Sequence, residues 1–188
     1  MNKMHLIALT GQTGSGKTTV SRLFAENGFA VINADETARA VVAPGSPCLR
    51  ALHQVFGDSI LQADGSMNRR AAADLIYNDA DARARYQAII YPYITQSIRQ
   101  QAQAFQAEGR DLILLDAPTL FESGIDRFCE RIISVIAERD IRKKRILQRD
   151  HLTDAQAEQR INAQHSETFF RTHSDAVIEN NGTEEQLR

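Results

Sequence analysis

The residues Gly11-Gln12-Thr13-Gly14-Ser15-Gly16-Lys17-Thr18 fit the pattern G-x-x-x-x-G-K-[ST]. The chemistry served by such a loop is the holding of clustered negative charge. Consecutive backbone N–H groups and a helix N-terminus cradle phosphate oxygens, and glycines let the backbone approach without a Cβ in the way. Lys17 adds a point charge for the outer phosphates of a nucleotide, and the Thr18 hydroxyl is placed to ligate Mg²⁺. Two acids and a run of cations extend the set. Asp116 ends the apolar run Leu112-Ile113-Leu114-Leu115. It reads either as the acid that holds Mg²⁺ or its water, or as an ordinary acid at a strand end. Asp35 follows a short apolar run, and residues 139–149 carry Arg142, Lys143, Lys144, Arg145 and Arg149.

These groups need elements to position them. Residues 4–10 read as a buried strand, and residues 17–25 as a helix with Val20, Leu23 and Phe24 on one face. Asn27-Gly28 reads as its C-terminal cap, and residues 29–33 as a second strand. Strand, loop, helix and strand over about 30 residues make a βαβ unit with parallel strands. The C-terminal ends of such strands share one edge, where ligands bind. Asp35 is therefore expected to face the loop, where a carboxylate could accept a proton from an attacking hydroxyl. The competing reading is an N-cap for a helix beginning near Glu36.

Residues 36–107 change character. Apolar residues fall at helical intervals, with breaks at Pro44, Gly45 and Pro47 and turns at Gly57 and Asp64-Gly65. Residues 69–78 and 81–105 read as helices, the second interrupted at Pro92. Arg69 and Arg70 could grip anionic groups or simply begin an exposed helix. The core returns at residues 112–116, 131–137 and 175–179, with Asn180-Asn181-Gly182 as a turn. Arg142, Arg145 and Arg149 share one helical face. Thr153 and Gln156 form a capping box for a following helix. A helix–turn–helix flap between core strands suits a lid that neutralises a transferring phosphoryl group; the alternative is a solvated or nucleic-acid-binding face. Residues 183–188 open like a helix, with Thr183 and Gln186 as a capping box, but span little more than one turn.

The chain has 188 residues, a formal net charge of −2 and a sequence pI near 6.2. That size suits one domain with an insertion, and the charge argues against nucleic acid as a partner. No apolar run approaches the roughly 20 residues of a membrane span, and the N-terminal apolar stretch runs into the loop instead of a signal-peptide cleavage site. Two distant cysteines, Cys48 and Cys129, read as buried free thiols in a reducing cytoplasm. Five histidines fall singly, with no ligand spacing.

Taken in order, the motifs resemble the dephospho-coenzyme A kinase family nearly end to end. The family's T-G-G-I-G-S-G-K-S-T is met by Thr10 through Thr19, its D-A-D by Asn33-Ala34-Asp35, and its P-G-x-P by Pro44-Gly45-Ser46-Pro47. F-G matches Phe56-Gly57, and D-G-x-L-D-R matches Asp64-Gly65-Ser66-Met67-Asn68-Arg69. P-L-L-F-E is met by Pro118-Thr119-Leu120-Phe121-Glu122, and Q-x-x-R-x-x-x-R at Arg145 and Arg149. R-I-x-x-Q is met by Arg160-Ile161-Asn162-Ala163-Gln164, and A-D-x-V-I-x-N-x-G by residues 174–182. Among the departures are Asn33 and Asn68 for aspartates, Thr119 for leucine, Arg142 for glutamine, and Tyr91-Pro92 for H-P. Tyrosine keeps a ring and a polar tip but loses a group that titrates near neutrality.

The resemblance implies an α/β fold: a P-loop core with a five-stranded parallel sheet, a helical substrate-binding insertion and a helical lid. Residues 1–35 and 108–188 would form the core, 36–107 the insertion and 139–165 the lid. The implied reaction moves the γ-phosphoryl group of ATP to the 3′-hydroxyl of dephospho-CoA. Asp35, Lys17, Arg145 and Arg149 would be catalytic. Gly11, Gln12, Thr13, Gly14, Ser15, Gly16, Lys17, Thr18, Thr19, Asn180 and Gly182 would bind ATP. Asp35, Arg69, Tyr91, Pro118, Leu120, Phe121 and Glu122 would bind the acceptor, and Thr18 and Asp116 would hold Mg²⁺. Three alternatives stand beside it: a kinase of another small metabolite or nucleotide, a GTPase and a nucleic-acid-binding ATPase. A GTPase would need D-x-x-G after the acidic strand and an N-K-x-D motif; the chain has Asp116-Ala117-Pro118-Thr119 and no N-K-x-D.

Overall fold

The computed structural model describes residues 5–188. Met4, the first residue of the expected strand, lies outside them. Five strands, β1 (His5–Gly11), β2 (Ala30–Asn33), β3 (Leu112–Asp116), β4 (Arg131–Ile136) and β5 (Ala176–Glu179), form one sheet in the order β2-β3-β1-β4-β5. β1 pairs in parallel with β3 (Leu9 opposite Asp116) and with β4 (Gly11 opposite Val135), and β4 pairs in parallel with β5. The central strands are covered on both faces, which is why they read as continuous apolar runs. Leu9, Leu114, Leu115 and Val135 are each 0% exposed.

The chain divides into two compact units, one running to Ile32 and resuming over Phe105–Arg188, the other spanning Asn33–Ala104. The first holds the sheet with α1 (Lys17–Glu26), α6 (Leu120–Ser123), α7 (Arg139–Asp150), α8 (Asp154–Asn162), α9 (Glu167–His173) and α10 (Glu184–Leu187). α7 and α8 pack through Ile146, Ala157 and Ile161. The capping box at Thr153 and Gln156 is formed. So is the one at Thr183 and Gln186. α10 is only four residues long, yet Leu187 packs with Phe24 and Phe29 against Leu9, Val20, Leu114 and Val135. Tertiary burial supplies what so short a helix lacks alone.

The second unit holds α2 (Ala34–Ala40), α3 (Pro47–Phe56), α4 (Arg69–Asn78) and most of α5 (Ala80–Ala107). Pro92 does not interrupt α5, contrary to expectation. Ile90, Ile94, Ile98 and Ala102, at four-residue spacing, are buried and hold both halves of the helix in line. The backbone donor that proline lacks would have served Ala88, which is exposed, so water can take its place. Among the described residues no helix is long and apolar enough to cross a membrane.

Candidate functional site

The loop between β1 and α1 has the conformation that phosphate binding needs. Gly14 and Gly16 hold φ of 76° and 88°. A Cβ on Gly14 would lie 2.6 Å from the Arg142 carbonyl oxygen, and one on Gly16 would strike the Asn180 carboxamide. Gly16 caps α1 without a side chain, and no acid lies in the first turn, so the helix N-terminus stays electropositive. Gln12 Oε1 and Ser15 Oγ are buried with no hydrogen-bond partner. Unpaired buried acceptors and hydroxyls carry a desolvation cost, so their gathering in this loop marks a place built for a polar ligand.

Lys17 Nζ donates to Asp116 Oδ1, and both side chains are largely buried. The expected phosphate cation and the expected metal acid are thus neighbours that neutralise each other here. Thr18 is exposed at the second position of α1. A hydroxyl and one carboxylate are oxygen donors of the kind Mg²⁺ takes when substrate phosphates and water complete its shell. Among the described residues no group of three His, Cys, Asp or Glu side chains could hold a metal.

α7 braces the loop. The Arg145 guanidinium donates to the carbonyls of Asn180 (2.9 Å), Ser15 (3.3 Å), Gly14 (3.5 Å) and Gly182 (3.5 Å). Asn180 Nδ2 donates to Ser15 O at 2.8 Å, tying the turn after β5 to the same loop. Arg142 departs from the expected open face. It is 6% exposed, donates from Nε to Ala137 O at 3.0 Å, and burial lowers its pKa, with Arg139 adding to the effect. Arg149 bonds Asp150 through Nε (2.7 Å) and Nη2 (2.8 Å), and Arg160 bonds the same carboxylate. The structure therefore brings Arg145 to the loop and commits the hydrogen bonds of Arg149 to Asp150. Gln164, which the sequence reading left out of the nucleotide set, accepts from Thr13 N at 2.6 Å. Its signal was the R-I-x-x-Q motif.

After β3, Thr10 Oγ1 donates to Pro118 O at 3.5 Å. Leu120, expected on the acceptor, is 0% exposed. It begins a one-turn helix whose inner face joins the core, so it serves packing instead. Phe121 meets Phe169 edge-on at 5.1 Å, and Glu122 lies 3.5 Å from His165. His165 and His173 stack on Phe169 at 3.8 and 4.0 Å between ring centroids. Cys48 is buried and Cys129 half-buried; both are free, and desolvation pushes them up to about 11 and about 12. Neither is a nucleophile near neutrality.

In the helical unit Asn33, not Asp35, caps α2, accepting from Glu36 N at 3.0 Å. Asp35 sits in the first turn and lines a cavity of about 310 Å³ with Arg39, Arg69, Met67, Tyr86 and Ile90. Burial raises the Tyr86 pKa. Tyr91, expected on the acceptor, is not part of this lining; Tyr86 and Ile90 of α5 are. Arg39 and Tyr86 were missed. Their signals were the spacing of Arg39 four residues after Asp35, and of Tyr86 four before Ile90, each on one helical face.

The dephospho-CoA kinase family model matches residues 5–186. A dephospho-CoA kinase of Geobacillus kaustophilus (strain HTA426) is 38% identical over 182 residues, covering 97% of this chain and 90% of the relative. That of Moorella thermoacetica is 37% identical over 186 residues, covering 98% and 88%. Among solved structures, TT1252 from Thermus thermophilus aligns with a TM-score of 0.84 at 28% identity, covering 99% of this chain and 93% of that one. A dephospho-CoA kinase from Campylobacter jejuni shares the fold, with a TM-score of 0.70 at 23% identity, covering 97% and 91%. A phosphate loop on a five-stranded parallel sheet, matched over nearly its whole length by these relatives, leaves one assignment: the chain belongs to the dephospho-CoA kinase family.

Proposed function

We propose that this protein transfers the γ-phosphoryl group of ATP to the 3′-hydroxyl of dephospho-CoA, giving ADP and coenzyme A, the last step of coenzyme A synthesis. The observation that carries the nucleotide half is the phosphate loop, with its positive-φ glycines, uncapped α1 and unpaired Gln12 and Ser15 side chains. Membership of the family supplies the acceptor.

In this reading the helical unit takes dephospho-CoA, and residues 139–165 form the lid. The loop N–H groups and Lys17 hold the phosphates, and Arg145 keeps the loop in shape from its carbonyl side. Mg²⁺, held by Thr18 and Asp116, would neutralise charge on the outer phosphates. Asp35 accepts the proton of the 3′-hydroxyl as its oxygen bonds to the γ-phosphorus; the bond from that phosphorus to the bridging oxygen breaks, and ADP leaves with the electron pair. Asp35 is free for this because Asn33 does the capping. Most of the acceleration comes from positioning and preorganised charge, because a loose phosphoryl transition state asks for little covalent help. The free thiols support a reducing cytoplasm as the compartment.

The test is ADP release from Mg-ATP with and without dephospho-CoA, with the product identified as coenzyme A. Strong stimulation and formation of coenzyme A are expected. A folded protein that binds ATP yet releases no more ADP with dephospho-CoA would overturn the assignment.

A further inference from the structure

The cavity beside Asp35 adjoins a second one of about 580 Å³, and Arg39, Val42, Met67 and Arg69 line both. The second adds Arg70 together with Gln62, Ser66 and Asn68. Three guanidinium groups therefore border these adjoining cavities within a single compact unit. Among the described residues none of the three forms an ion pair, whereas Arg131, Arg149 and Arg171 all do. Arg69 and Arg70 start α4, where Asn68 already caps the helix through Ala71 N and no acid occupies the first turn. Asp35 is the sole carboxylate lining either cavity. A space so unbalanced in charge is suited to an anion, and guanidinium is the cation whose fork matches phosphate oxygens in pairs.

The spacing is informative as well. Asp35 and Arg39 lie four residues apart on α2, so they share a face about one helical pitch of 5.4 Å apart. In dephospho-CoA the acceptor 3′-hydroxyl and the 5′-diphosphate are separated by one ribose, a comparable span. A carboxylate for the hydroxyl and a cation one turn further on would match the two ends of that sugar.

We propose that Arg39, with Arg69 and Arg70, clasps the diphosphate of dephospho-CoA and so holds the acceptor in this cavity. This rests on the dephospho-CoA reading above. The clasp gives the enzyme a preference for nucleosides bearing a 5′-diphosphate, and it acts on acceptor binding, not on the nucleotide that donates.

The test varies dephospho-CoA at saturating Mg-ATP for the wild type and for Arg39→Gln, Arg70→Gln and Arg39→Lys, with thermal melts to confirm folding. Each glutamine variant is expected to raise the KM for dephospho-CoA on the order of 10- to 100-fold, the loss of a charge-assisted hydrogen-bond pair. The KM for ATP should stay unchanged. Arg39→Lys, which keeps the charge without the fork, should recover only part of the loss. If the wild type makes coenzyme A but neither glutamine variant changes the KM for dephospho-CoA, the clasp is overturned and the dephospho-CoA reading stands. A fall in kcat with unchanged KM overturns the clasp equally. A wild type that makes no coenzyme A overturns both.

Discussion

Gln164 Oε1 accepts a hydrogen bond from the backbone N–H of Thr13 at 2.6 Å, across 151 residues of sequence. Thr13 lies in the middle of the phosphate loop, and Gln164 follows the end of α8. The bond satisfies a half-buried loop amide and fixes the segment after α8 to the loop. A loop held in shape before its ligand arrives loses less entropy on binding.

Gln164→Ala should therefore weaken both stability and nucleotide binding. A single hydrogen bond of this kind contributes about 1 kcal/mol, which corresponds to a fall in Tm of about 2–4 °C and a several-fold rise in the KM for ATP. Thermal melts and steady-state kinetics on the same preparation check both. An unchanged KM for ATP would mean that the bond is structural only.

Gly14 shows how closely α7 is seated. Its φ of 76° and the Arg142 carbonyl oxygen, 2.6 Å from where a Cβ would sit, leave no room for a side chain. The nearest of these atoms, the Arg142 carbonyl oxygen and Cα, belong to backbone, which cannot swing aside as a flexible side chain would, and Ile146 Cγ1 at 3.0 Å crowds the same space. Gly14→Ala is expected to cost about 2 kcal/mol or more and to displace α7 from the loop. Calorimetry should show the lowered Tm, and faster amide exchange in α7 should accompany it.

Asn33 does the capping that the sequence could equally have given to Asp35. Because Asn33 caps α2, Asp35→Asn should leave the fold intact while lowering kcat by about 10²- to 10⁴-fold, the usual worth of a positioned proton acceptor. Asn33→Ala should do the reverse, costing about 1 kcal/mol of stability with little change in kcat. Melting curves beside rate measurements for the two variants separate the roles. A destabilised Asp35→Asn with unchanged kcat would assign capping, not chemistry, to Asp35.

Asp175 supports the junction of β4 and β5. Its carboxylate accepts from Ile132 N at 2.8 Å and from Arg131 at 2.7 Å, and these hold its pKa below the ordinary value of 3.8. A carboxylate whose pKa is depressed on folding stabilises the native state above its unfolded pKa, and the benefit is lost as pH falls through the folded value. The wild type should thus melt above Asp175→Asn near neutrality, with the gap closing as pH drops below 3.8. Melts from pH 7 downward measure the closure. A gap that persists at the acid end would point to packing instead of charge.

Much of this protein is written locally. The octapeptide from Gly11 to Thr18, the apolar runs of β1, β3 and β4 and the capping boxes at Thr153 and Thr183 rest on neighbours a few residues apart. Residue type and spacing therefore determined them. The replacements Asn33 and Asn68 are explained in the same local terms, since each still caps a helix as the family's aspartate can. What tertiary structure decided involves groups distant in sequence. It carried α5 through Pro92 by burying Ile90, Ile94 and Ile98 along one face. It put Leu120 and Arg142 in the interior and spent Arg149 on Asp150. It also set Gln164 against Thr13 and Arg39 beside Arg69 and Tyr86. Periodicity shows that a helix has a buried face. Which partner covers that face, and which of several like charges then meets the ligand, depends on long-range packing that no local window contains.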